Sequence, residues 1–277
     1  MGCENDQSLL DRVTAALAPV GGVRAVVLGG SRGRGLQNEK SDYDIGLYYR
    51  DGLDFAALDR AAAELNDDGG SEGLMTRLGG WGAWVDGGGW LTIGGVAVDI
   101  IYRDIDRVER VTGEVERGEF TCAYHFGHPH GFISHMYAGE IATCRILHDP
   151  DGAVAAAKAR LATYPPALRA AIVTRFGHEA HFFLAIAKKG ADRGDVAYVA
   201  GCAYRALACL LQMVFATNRQ WLLNEKGALR LADGFASKPE DLKARVEAVF
   251  ALTPDPAKLM ASLADLSALI DETAALA

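Results

Sequence analysis

The chain has 277 residues, half of them apolar, with a formal net charge of -8 and a pI near 5.4. That length exceeds one average domain and predicts two, and the acidic balance argues against a protein that tracks a nucleic-acid backbone, because such binding draws on clustered Lys and Arg. The five cysteines (Cys3, Cys122, Cys144, Cys202, Cys209) form no CxxC pair and suit reduced thiols better than a disulfide framework. The opening MGCENDQSLL has acids where a signal peptide needs a basic segment, and Asp6 stands where myristoylation wants Ser or Thr. No apolar run is read as long enough to span a bilayer, so a soluble, cytoplasmic chain is expected.

In chain order, Asp6 to Leu17 carries Leu9, Leu10, Val13, Ala16 and Leu17 at helical spacing, ended by Pro19 and Gly21-Gly22. Val23 to Leu28 reads as a short buried strand broken by Gly29-Gly30, after which SRGRGLQ opens a short helix. Tyr43 to Tyr49 is a second strand, and Phe55 to Leu65 a helix packed across it. Leu74 to Leu78, Ala83 to Val85, Trp90 to Ile93 and Val96 to Tyr102 read as further strands between Gly-rich turns, which predicts a mostly antiparallel sheet. After Asp149-Pro-Asp-Gly152 the strand signals stop. Helices are expected over Ala153 to Thr163, Ala167 to Lys189, Val196 to Asn218, Glu240 to Leu252 and Pro256 to Leu276. The expected fold class is α+β, with a mixed-sheet domain over residues 1–149 and a helical bundle over 150–277.

The chemistry concentrates in Leu28-Gly-Gly-Ser-Arg-Gly-Arg-Gly-Leu36 and Ser41-Asp-Tyr-Asp-Ile-Gly46. Glycines after a strand let the backbone approach an anion, and the amides opening the next helix, with the Ser31 hydroxyl, donate to phosphate oxygens. This is not a Walker loop, since GxxxxGK[ST] is missing. Asp42 and Asp44 stand two residues apart on a strand and so project from one face, where they can share hard cations. Asp99 is the lone acid in the apolar strand Val96-Ala-Val-Asp-Ile-Ile101 and is the third candidate ligand.

GGSRGRG, SDYD and the later VDI strand together resemble the polymerase-beta-like nucleotidyltransferase superfamily, and bacterial aminoglycoside and lincosamide nucleotidyltransferases in particular. The resemblance covers roughly the first half of the chain. It implies a nucleoside triphosphate donor held by Gly30 and Ser31, and two magnesium ions held by Asp42, Asp44 and Asp99. The activity it implies is transfer of a nucleoside monophosphate, AMP from ATP, to a hydroxyl of a small acceptor such as an amino-sugar antibiotic or a metabolite, with release of pyrophosphate. Two alternatives stay open: nucleotidylation of a protein partner in the manner of antitoxins, and a silent nucleotide-binding module.

Around this core stand further candidates. Arg32 and Arg34 are candidate phosphate contacts. Lys226, in Asn224-Glu-Lys-Gly227, resembles a second-domain lysine that reaches the triphosphate in relatives. Glu140 is the candidate general base, with Glu119 and Asp99 as alternatives. His125, His128, His130 and His135 read as a loop near the acceptor pocket rather than a zinc site, for want of a cysteine at zinc spacing. His178 and His181 share a helix face and read as surface residues. Glu179, Asp192 and Asp195 are acids that would attract a cationic acceptor or simply coat a helix. The composition does not fix the oligomeric state.

Overall fold

The structure of the protein, a computed structural model, describes residues 3–38, 41–69 and 73–277, with side chains from residue 6 onward. The Met1-Gly2 opening and the Cys3 thiol lie outside the described residues. By spatial contacts the chain forms two compact units, Met1–Gly113 with Tyr137–Thr163 and Glu114–Met136 with Tyr164–Ala277. The division into 1–149 and 150–277 rests on composition, whereas these units follow which residues touch.

The first unit is built on a five-stranded sheet of order β3-β4-β2-β1-β7, from β1 (Val23–Leu28), β2 (Tyr43–Tyr49), β3 (Gly88–Ile93), β4 (Val96–Asp104) and β7 (Arg145–His148). Alternation sorts its side chains. Tyr43, Ile45, Leu47 and Tyr49 of β2, with Val98, Ile100 and Tyr102 of β4, face one core with Leu10, Val13 and Leu17 of α1 (Cys3–Leu17) and Leu58, Ala62 and Leu65 of α3 (Phe55–Leu65). Each such side chain contributes roughly 2 kcal/mol by leaving water. Asp54 caps α3 by accepting from the Ala57 amide at 3.0 Å. The opposite face of the sheet carries Asp44, Gly46 and Tyr48 on β2, and Asp99, Ile101 and Arg103 on β4.

The sheet is mixed, as expected: three of its four pairings are antiparallel, and β2 and β4 run parallel, Asp44 beside Asp99 and Tyr48 beside Arg103. One expectation is corrected here. Residues 74–78 and 83–85 are not strands: only an isolated Met75–Gly89 bridge forms there, and Gly73, Gly79, Gly82 and Gly87 all adopt positive φ, which breaks extended pairing. Helix α2 is confined to Gly30–Gly33. Between the strands of this unit lie α4 (Ile105–Glu116) and α5 (His135–Thr143), elements absent from the sequence reading, and α6 (Ala153–Arg160) follows β7. The Lys158 ammonium satisfies the end of α5 by donating to the carbonyls of Ala142 at 2.9 Å and Cys144 at 2.7 Å.

The second unit joins the hairpin of β5 (Cys122–His125) and β6 (His128–Ile133) to α7 (Pro166–Ala191), α8 (Val196–Thr217), α9 (Ala228–Asp233), α10 (Leu242–Val249) and α11 (Pro256–Leu276). Helices α7 and α8 pack on each other and on α11. Their buried rows repeat every three or four residues, Leu168, Ile172, Phe176, Ala180 and Leu184 on α7 and Val199, Ala203, Ala206, Leu210 and Met213 on α8. Asp195 caps α8 through the Tyr198 amide at 3.1 Å, so this acid has a structural task. Helix α8 is long and apolar enough to cross a membrane by length and composition, which corrects the expectation that no run is. Its most apolar window is 72% buried in the protein, as a core helix requires. The segment of four histidines is also corrected: it is a two-stranded hairpin followed by α5, not an open loop.

Candidate active site

Gly30, Ser31, Asp44 and Asp99 belong to the first sheet and the turn after β1, with Asp42 just before β2. Leu28 pairs with Ile45, so the chain leaving β1 turns beside the start of β2, and the Gly29 amide donates to the Asp44 carbonyl at 2.7 Å. Gly30 follows at φ +57, and a Cβ built there would overlap the Asp44 carboxylate. Only glycine permits this approach, both for its backbone conformation and for its lack of a side chain. The first helical bond of α2 runs from the Gly33 amide to the Gly29 carbonyl at 2.7 Å. The amides of Gly30, Ser31 and Arg32 therefore stand before the helical ladder, where a phosphate oxygen is a suitable acceptor.

Asp42 is exposed and immediately precedes β2, while Asp44 and Asp99 are half-buried and directly paired across the parallel β2–β4 ladder. Residues in register on neighbouring strands share a face, so the Asp44 and Asp99 carboxylates project from the same surface. Asp42 stands two residues before Asp44, just outside the strand. Carboxylates are hard oxygen donors of the kind magnesium-like cations take, and two of these three are in register on neighbouring strands.

The two arginines of the glycine-rich turn part company. Arg32 is held in place: Nε donates to the Ser41 carbonyl at 3.0 Å, Nη1 meets Asp6 at 3.1 Å, and the guanidinium lies 3.8 Å over the Tyr43 ring. Tyr43 also donates to Asp6, which closes a clasp among α1, α2 and β2. Arg34 has its Nε buried without a hydrogen-bond partner, and burial lowers its pKa while the nearby Asp44 charge raises it. A buried guanidinium edge without a partner is an arrangement that an anionic ligand would complete.

Glu140 is placed elsewhere. Both its oxygens accept from Arg103 at 2.7 Å, and Arg103, 5% exposed, also lies 4.9 Å over the Tyr137 ring. Arg103 stands four residues along β4 from Asp99, about 13 Å of strand. Glu140 thus closes the covered end of the face whose open end carries the aspartates. Glu119 is an exposed residue on Arg117 at 2.7 Å. Lys226 is exposed in the turn before α9, its amide bonded to Asn224 Oδ1 at 2.8 Å. Its neighbour Glu225 binds the hairpin, accepting from the His130 amide at 3.2 Å and meeting His128 Nδ1 at 3.2 Å. His178 and His181 are exposed, His181 beside Asp271 at 3.2 Å.

Two features escaped the sequence reading. Asp86, 4% exposed, joins Tyr49 at 3.1 Å to Arg107 at 2.8 Å and fixes the segment before β3. Trp90, paired with Asp99 across the β3–β4 ladder, is 65% exposed and stacks on Trp81 with ring centroids 4.7 Å apart. The signal in the sequence is the place of Trp90 on the strand, out of phase with the apolar Leu91 and Ile93 that the core buries.

Residues 11–79 match the family model described as Nucleotidyltransferase domain. That match takes in Gly30, Ser31, Asp42 and Asp44 and stops short of Asp99. The matched stretch contains β1, the glycine turn and β2 of the mixed sheet. Residues 134–226 match Domain of unknown function (DUF4037). Among solved structures the chain is similar to a nucleotidyltransferase-like protein from Exiguobacterium sibiricum, at 10% identity, covering 96% of this chain and 74% of that one, with a TM-score of 0.48. No curated protein matches the chain.

The contact between Gly30 and Asp44 makes a testable demand. Gly30→Ala should lower nucleotide affinity at least about tenfold while costing roughly 1–2 kcal/mol of stability, since the added methyl must push the carboxylate or the turn aside. Titration with a non-hydrolysable magnesium nucleotide, beside a denaturation curve, checks both. Wild-type nucleotide affinity in this variant would show that the approach of turn and carboxylate is irrelevant to the ligand.

Proposed function

We propose that the protein transfers a nucleoside monophosphate, AMP from ATP, to a hydroxyl of a small ring-bearing acceptor and releases pyrophosphate. The observation that carries this reading is the pairing of Asp44 with Asp99 beside a turn whose Gly30 has room only for the Asp44 carboxylate. Asp42, Asp44 and Asp99 would hold magnesium, which when bound neutralises the triphosphate and the pyrophosphate that leaves. The amides of the Gly30-Ser31-Arg32 turn and the Arg34 guanidinium grip the terminal phosphates. In the reaction the acceptor oxygen forms a bond to the α-phosphorus, the bond from that phosphorus to pyrophosphate breaks, and the hydroxyl proton departs to a base.

The order of parts across the sheet sets a direction. The phosphate turn follows β1, the carboxylates stand on β2 and β4, and Trp90 stands on β3 at the far side. Displacement at phosphorus is in line, so with pyrophosphate on the β1 side the attacking oxygen enters from the side of β4 and β3. Asp99 is the carboxylate on that side and takes the proton in this reading, in preference to Glu140, whose oxygens are both engaged by Arg103. The exposed Trp90 ring is a platform for a planar or sugar ring of the acceptor, and its π face favours a cationic amino group.

Trp90→Ala should raise the KM for the acceptor about tenfold and leave nucleotide affinity unchanged. Equal loss of nucleotide affinity would assign the platform to the base instead. The reaction itself is tested by labelled ATP: label on the α-phosphate should follow the acceptor, and label on the γ-phosphate should leave in pyrophosphate. Transfer of the γ label would make the protein a kinase and end this reading.

A further inference from the structure

A second set of ligating side chains lies in the other unit. We infer that His130, Glu179 and Cys209 form a site for a zinc-like divalent transition metal, distinct from the carboxylate site and independent of the transfer reaction. The three come from β6, α7 and α8, and their ligand atoms all lie within 4.8 Å of one another. His130 Nε2 is 3.9 Å from Cys209 Sγ. Tetrahedral zinc, with bonds of about 2.0–2.1 Å to nitrogen and 2.3 Å to sulfur, sets its nitrogen and sulfur ligands about 3.6 Å apart, so these two are nearly at bonding separation already.

The surroundings suit a ligand set. His130 is 8% exposed, and its ring meets Cys209 only through a long sulfur contact, far weaker than an ordinary hydrogen bond for a buried imidazole. The ring nitrogen that faces Cys209 Sγ is the one placed to give its lone pair to a cation. Arg205 donates to the His130 carbonyl and, at 3.2 Å, to Glu179 Oε1. One guanidinium thus holds the Glu179 carboxylate and the backbone of His130, and Glu179 keeps its second oxygen for the cation.

The Cys209 thiol gives up its proton as the metal–sulfur bond forms, so one proton is released for each cation bound. Thiolate and carboxylate then offset the two positive charges of the ion, with the Arg205 guanidinium beyond them on Glu179. A mixed N, S, O set with a borderline-soft thiolate selects zinc or cobalt over magnesium.

Cobalt titration of the full, chelator-stripped chain provides the test, because a thiolate–cobalt bond gives a near-ultraviolet charge-transfer band that a carboxylate site cannot produce. The expected result is one such band per chain, saturating at one equivalent. It should be lost in Cys209→Ala and unchanged in both Cys122→Ser and Asp44→Asn. Glu179→Gln, a half-buried change that tests the site without emptying the core, should weaken cobalt binding about tenfold or more. Absence of the band in the wild-type chain, or its survival in Cys209→Ala, would overturn the assignment.

Discussion

Asp44→Asn is expected to reduce nucleotidyl transfer by about three orders of magnitude or more, with little change in the denaturation midpoint. Asp44 links the glycine turn, Arg34 and β4. Its carbonyl receives the Gly29 amide, its carboxylate lies against Gly30, its charge acts on Arg34, and its strand partner is Asp99. An amide keeps the shape and the backbone bond but loses the negative charge that a hard cation needs. Stability should hold because Asp44 faces away from the apolar core that Tyr43, Ile45 and Leu47 complete. Steady-state rates and a denaturation curve on the same preparation separate the two effects. A variant that unfolds would show that Asp44 serves the sheet rather than the ligand.

Glu140→Ala should do the reverse, costing about 3 kcal/mol of stability by leaving Arg103 buried without its counter-charge. Arg103 is 5% exposed and loses two hydrogen bonds of 2.7 Å. Glu140→Gln keeps one acceptor oxygen and should fall between the two. If Glu140 were instead the base for transfer, Glu140→Gln would drop kcat more than a hundredfold at an unchanged midpoint, and the basic-limb pH dependence would shift with it. That outcome would contradict the structural role assigned here.

The elements legible in the sequence are those whose local pattern decides them. Val23–Leu28, Tyr43–Tyr49 and Phe55–Leu65 form where apolar period and Gly breaks agree, and the long α7, α8 and α11 follow their Ala/Leu content. Helix α4 carried a readable signal, the buried Ile105, Val108, Val111 and Val115 at three- and four-residue spacing, that the strand-rich surroundings obscured. The short β5, β6 and β7 were not legible, since four to six residues containing His, Pro and Gly have no period to read and exist through their partners. Partner choice is also why the parallel β2–β4 pair escaped: the same alternation fits either direction.

For the site, the Gly-Gly-Ser turn and the two-residue spacing of Asp42 and Asp44 announce their chemistry locally. The register that sets Asp99 beside Asp44, the diversion of Arg32 to Asp6 and Ser41, and the pairing of Glu140 with Arg103 are decided by residues distant in the chain. Charge alone cannot tell an arginine that clamps a helix from one that awaits a phosphate. The convergence of His130, Glu179 and Cys209 was hidden for the same reason, as no ligand spacing runs along the sequence.

The most direct test of the central claim is pyrophosphate release with magnesium and each of the four nucleoside triphosphates, across amino sugars, lincosamides, sugar metabolites and peptide acceptors. Release that depends on an acceptor hydroxyl, is strongest with ATP and disappears in Asp44→Asn is the predicted result. Full acceptor-dependent release in Asp44→Asn, or tight magnesium–ATP binding with no release for any acceptor class, would contradict it.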